Sequence, residues 1–187
     1  MVYTKLFNYK KNKETLMYPK EYMQFLVHFH GDQDFFECHE ILEEYWKKVD
    51  SRNKESIWVG FILMAVSAYH HRRENFKGAK KTIIKSWQLL EKHKESISKL
   101  GLDETSLIDL LKNQEKHIEQ SHNFRPYHLP ISDKLLEKKC VKLAQSMGVS
   151  WKNRDGIPIE IIHRHLTRDR SLVIMERNEA LKKKKRE

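Results

Sequence analysis

The sequence predicts an all-α protein, a compact array of antiparallel helical hairpins around one apolar central helix. Three observations carry that prediction. Glycine and proline are scarce, six and four in 187 residues, whereas Lys, Glu, Leu and Ile are abundant, which suits helices better than a turn-rich β protein. Apolar residues recur at three- and four-residue spacings through most of the chain. One segment, "IWVGFILMAVSAY" from Ile57 to Tyr69, is hydrophobic nearly all round. At 13 residues it is too short to span a bilayer and reads as a buried helix that other helices enclose.

The elements follow in order. Residues 1–17 have no clear period and read as a loose or surface-draped arm. Pro19 then opens a helix that Gly31 stops, with Tyr22, Phe25, Leu26 and Phe29 on one face. Asp34 and Glu37 have the form of a capping box for the next helix. On that helix Phe35, Cys38, Leu42, Trp46 and Val49 share a face; His39 falls inside the stripe and Glu43 at its edge, while Glu37, Glu40 and Glu44 point away. The apolar helix runs from about Ser56 to His71, and Asn75 and Gly78 mark a turn after it. A helix over 79–98 buries Ile83, Trp87 and Leu90; another, capped by Asp103, buries Leu107, Leu110 and Leu111. "SHNFRPYHLPIS" is an extended connector. A capped helix from Ser132 or Asp133 to Gly148 places Leu136, Cys140 and Leu143 inward, a short helix starts at Pro158, and a lysine-rich helix ends the chain. Five to seven helices are expected, in a core domain over 1–122 with a basic helical extension over 123–187.

The totals narrow the function classes. At 39% hydrophobic and 10% aromatic the chain can bury a core. Its net charge of +10 permits attraction to nucleic acid or to an anionic membrane surface. From Asp133 onward 15 Lys/Arg face 8 Asp/Glu, so the basic character belongs mostly to the C-terminal third. Cys38 and Cys140 are the only cysteines, with no zinc-finger spacing. The first twenty residues lack the apolar run of a signal peptide. A cytoplasmic protein with reduced thiols and no membrane association is expected. Dinucleotide, P-loop and serine-hydrolase readings lack their glycine motifs.

The stretch "FFECHEILEEYW", the apolar helix ending at His70, and "ENFKGA" together resemble a bacterial and archaeal family known as domain of unknown function 309. The matching positions are Glu37, His39, Glu40, Leu42, Glu43, Trp46, His70, Asn75, Gly78 and Ala79. Cys38 stands where the family usually has alanine. The resemblance covers about 18–118 and implies packed helical hairpins without an established activity.

Three functional readings stay open. In the first, His39 and Glu43 look inward beneath Trp46, and His39, Glu40, Glu43, Trp46, His70 and Asn75 bound a ligand pocket in a non-enzymatic binding or scaffold protein. In the second, His39 and Glu43, spaced i, i+4 as in HExxH helices, join His70 to hold a divalent metal, zinc or iron, in a metal-dependent hydrolase. In the third, the basic C-terminus contacts nucleic-acid phosphates through Arg164, Arg168, Arg170, Lys182, Lys183, Lys184, Lys185 and Arg186. Any apolar face left bare would imply a homo-oligomer.

Overall fold

The computed structural model describes residues 18–153 and 156–164. Eight helices follow one another there: α1 (Lys20–His30), α2 (Phe35–Val49), α3 (Ile57–Arg72), α4 (Phe76–Glu91), α5 (Lys94–Lys99), α6 (Glu104–Glu119), α7 (Lys134–Ser146) and the short α8 (Ile159–Ile162). The protein is all-α; among the described residues the single extended pairing is an isolated bridge between Leu102 and Ile131. The N-terminal arm and the final lysine-rich helix expected from the sequence lie outside the described residues.

Short polar side chains start four of the helices. Asp34 accepts a hydrogen bond from the Glu37 amide at 2.9 Å, Asn75 from Gly78 at 2.9 Å, Asp103 from Ser106 at 2.7 Å, and Asp133 from Leu135 and Leu136. Each satisfies an amide that the helix geometry leaves unpaired. Asn75 and Gly78, read as a turn, are therefore the cap and first turn of α4. The helix expected over 79–98 is two helices, α4 and α5. The chain bends at Lys92 and His93, where the His93 ring is 2.7 Å from the Glu55 carbonyl. This break is one reason the helix count exceeds five to seven. Replacing Asp34 by alanine removes a cap from a residue with no solvent exposure. Loss of the cap alone is expected to cost about 1–2 kcal/mol, with loss of the Arg164 ion pair adding to it, seen as a lower urea midpoint at unchanged slope.

The helices pack as a sequential array: α7 on α1, α1 on α2, α2 on α3, α3 on α4 and α4 on α6. Links of only a few residues make α1–α2 and α3–α4 hairpins. The aromatic centre joins α1 to α3. Tyr22 and Phe25 meet Phe61 with ring centroids 5.9 and 5.8 Å apart, and Tyr22 meets Trp58 at 6.0 Å. Residues Ile83, Leu90, Leu107, Leu111, Leu136 and Cys140 are buried as expected. Trp87, Leu110 and Leu143 pack partly buried against them, and Val49 is exposed. No helix among the described residues is long and apolar enough to cross a membrane.

The region after residue 122 shares the same apolar cluster. Phe124 sets its ring edge-on to Phe35 at 5.6 Å, and Tyr127 meets Phe29 likewise at 5.5 Å. Leu129, Leu136, Cys140 and Ala144 are buried with the α1 side chains. Backbone bonds tie this segment to the α5–α6 corner: Asp103 donates to the Pro130 carbonyl, and Ser132 and Asp133 both donate to Gly101. The Tyr18 hydroxyl donates to Asp133 at 2.7 Å.

Candidate functional site

His39 is fixed by its place on α2, and its ring lies between two carboxylates. Nδ1 is 3.0 Å from Glu40 Oε1 and Nε2 is 3.0 Å from Glu43 Oε2; the imidazole is 27% exposed. The other oxygen of Glu43 takes the Lys47 ammonium at 2.8 Å. Burial pulls the His39 pKa down, but the hydrogen bonds and charges of Glu43 and Glu40 outweigh it, so the pKa lies above 6.5. Glu43 is held at about 2, chiefly by its hydrogen bond to His39 and further by Lys47, against a smaller opposing effect of burial. The result is a chain of alternating charge along the edge of α2. His39, Glu40 and Glu43 can each present one donor atom within 4.8 Å of the others.

The remaining residues of the expected site are placed elsewhere. His70 is not brought into this cluster: among the described residues the three-donor group consists of His39, Glu40 and Glu43. His70 Nδ1 instead accepts from the Asn75 side-chain amide at 3.1 Å. Asn75 spends its oxygen on capping α4, so this pair fastens the α3–α4 corner. Trp46 does not roof His39. Its indole N–H donates to the Asn53 carbonyl at 3.1 Å, closing the α2–α3 loop, and the ring beside His39 is Phe36, at 6.3 Å. Glu40, read as pointing away, turns back to the imidazole. The physical reason is packing. The neighbours of α2 are α1 and α3, which cover Cys38 and Leu42 and leave His39 at the rim.

Of the basic residues read as phosphate contacts, Arg164 forms an ion pair with the buried Asp34 carboxylate. It thus ties the α8 end to the start of α2. Arg168, Arg170, Lys182, Lys183, Lys184, Lys185 and Arg186 lie outside the described residues.

A second polar constellation escaped the sequence reading. His30, with no solvent exposure, is stacked between His128 (centroids 5.2 Å apart, planes 8° apart) and Trp151 (4.9 Å, 14°). Neither of its ring nitrogens has a hydrogen-bond partner among the described residues. Burial, reinforced by the charges of His128 and Lys152, lowers its pKa to about 3. The signal was present: His30 follows Leu26 by four residues and so shares the buried face. Nearby, Gln33 takes a left-handed backbone with φ of 53°, and its carbonyl accepts from Arg72 at 2.8 Å. The Arg72 guanidinium lies 4.7 Å over the Phe35 ring.

Fold and site define an all-helical protein with a histidine–carboxylate cluster at the rim of its second helix. The chain belongs to the family described as Domain of unknown function (DUF309), whose model matches residues 22–82. Over 171 residues it is 39% identical to the uncharacterized protein YpuF of Bacillus subtilis (strain 168), an alignment covering 91% of this chain and 98% of that protein. No solved structure matches it.

Proposed function

We propose that the protein has a non-enzymatic binding role, and that its ligand at the α2 rim is a divalent transition-metal cation. The observation that carries this reading is the imidazole flanked by two carboxylates at 3.0 Å each. Both ring nitrogens are engaged, so His39 is poorly placed as a free base for a substrate. The same arrangement suits exchange of its proton for a cation. Nε2 and Glu43 Oε2, 3.0 Å apart, are the natural ligating pair, because two donors about 2.1 Å from a tetrahedral metal lie about 3.4 Å apart, a spacing that a small side-chain shift reaches. Glu40 on Nδ1 would then orient the ring, as carboxylates commonly do for metal-bound histidines. Glu43, ionised down to about pH 2, keeps its charge throughout the working range.

Zinc titration of the purified protein by calorimetry tests this. One equivalent is expected to bind at pH 7.5, with binding weakened about ten-fold or more at pH 5.5, where protons compete for His39. His39→Ala and Glu43→Gln are expected to abolish it. A stoichiometry near zero after loading with zinc or iron(II), or binding unchanged in His39→Ala, would remove this reading.

A further inference from the structure

A separate concavity of about 400 Å³ lies where α6 ends and the following connector begins, lined by His117, His122, Asn123 and Arg125. We propose that it binds a small phosphorylated molecule, gripping the phosphoryl group through the two imidazoles and the guanidinium. This site does not depend on the cation reading of His39.

The chain builds the site through a specific helix ending. Ser121 adopts a left-handed φ of 54°, and the His122 amide turns back to the His117 carbonyl at 3.0 Å. This is the geometry of a helix closed by a residue in the left-handed region. It sets the His117 and His122 rings edge to face, with centroids 5.6 Å apart. The His122 carbonyl is pinned from the other side by His71 Nε2, which donates to it at 2.8 Å. The position of the pair is therefore dictated by backbone bonds and by α3.

Chemistry selects the ligand. The lining holds no carboxylate. The nearest acidic residue along α6, Glu119, is already paired with Lys80 at 2.7 Å. Arg125 has no ion pair among the described residues, and the ring nitrogens of His117 and His122 have no hydrogen-bond partner there. A helix C-terminus would ordinarily repel an anion, but the His117 and Ile118 carbonyls accept from His122 and Ser121 and are turned into the chain. The four lining residues carry a planar guanidinium, two imidazoles and a side-chain amide, a donor set suited to phosphoryl oxygens. A volume of about 400 Å³ leaves room for an organic body beside the phosphoryl group, since small-molecule sites commonly span about 300–1,000 Å³.

The test is NMR of the histidine ring protons of the full chain in phosphate-free buffer, titrated with ribose 5-phosphate, ribose and inorganic phosphate. Saturable shifts of the His117 and His122 signals with ribose 5-phosphate, absent with ribose, are expected. Arg125→Ala should weaken binding about ten-fold or more, the loss of a charge-assisted hydrogen bond, and His39→Ala should leave it unchanged. All four lining residues are exposed, so the variants should fold, which circular dichroism checks. Inorganic phosphate binding as tightly as the ester would still support a phosphoryl site and would identify the free anion as sufficient. No shift at millimolar ester, equal shifts with ribose, or unchanged affinity in Arg125→Ala would overturn the proposal. So would saturation of both rings by nickel alone with no response to phosphate, which would make the pair a metal site.

Discussion

Replacing His30 by phenylalanine is expected to make the protein far less sensitive to acid. In the folded state this imidazole is neutral down to about pH 3, whereas in the unfolded chain it takes a proton at its ordinary 6.5. As pH falls from 6.5 towards 3, the unfolded state binds more protons than the folded one, so folding stability declines across that window and levels off below it. By pH 4 the difference amounts to about 3 kcal/mol, from about 1.4 kcal/mol for each pH unit. His30→Phe lacks this proton linkage. At pH 7 two effects oppose each other in the variant: loss of two unpartnered buried nitrogens is favourable, and the larger ring between His128 and Trp151 crowds the stack. The stability gap between variant and parent should therefore be small at pH 7 and widen by about 3 kcal/mol by pH 4. Urea titrations at a series of pH values measure this, and parallel profiles for the two proteins would show that His30 is not a buried neutral group.

The second large effect concerns the contact between α3 and α4. A Cβ added at Gly60 would lie 2.7 Å from Leu90 Cδ2 and 2.8 Å from its Cγ, and Leu90 has no solvent exposure into which to retreat. The Gly60 carbonyl also accepts the Ser86 hydroxyl at 2.9 Å, which holds the two helices at that separation. Alanine ordinarily gains about 1 kcal/mol over glycine inside a helix. Overpacking costs about 1–3 kcal/mol, so Gly60→Ala should be a net loss. Leu90→Ala, which opens a cavity, should cost about 2–5 kcal/mol. The double variant is expected to be more stable than the sum of the two losses by about 1 kcal/mol or more, because the new methyl occupies vacated space. Additive losses in a denaturation cycle, or a stabilised Gly60→Ala, would contradict the close packing described.

How much of this was legible in the sequence differs from element to element. The caps at Asp34 and Asp103 were readable, and that of α7 to within Ser132 or Asp133, because capping depends on a few adjacent residues. The burial of Tyr22, Phe25, Leu26 and Phe29 was readable from periodicity alone. The division at Lys92 and His93 was not, since the anchor is the Glu55 carbonyl, 38 residues away. Nor was the burial of Leu129, which sits in an aperiodic connector and is covered only because that connector lies along the α5–α6 corner. At the α2 rim, spacing gave the His39–Glu43 pair correctly as neighbours. It could not give the degree of exposure, which depends on which helices flank α2, nor the diversion of Trp46 to Asn53 and His70 to Asn75.

The sandwiching of α1 between α2 and α7 has a consequence for synthesis. As the chain leaves the ribosome, the hairpins up to α6 can assemble, but α1 lacks the cover that Phe124 to Ala144 provide until those residues have emerged. A chain interrupted near residue 122 would display Phe29 and its apolar neighbours to every other nascent chain, making it a target for chaperones and a seed for clumping. The stretch from 22 to 82 by which the family is recognised is therefore a signature carried by the fold, and it should not be expected to stand as an autonomous folding unit.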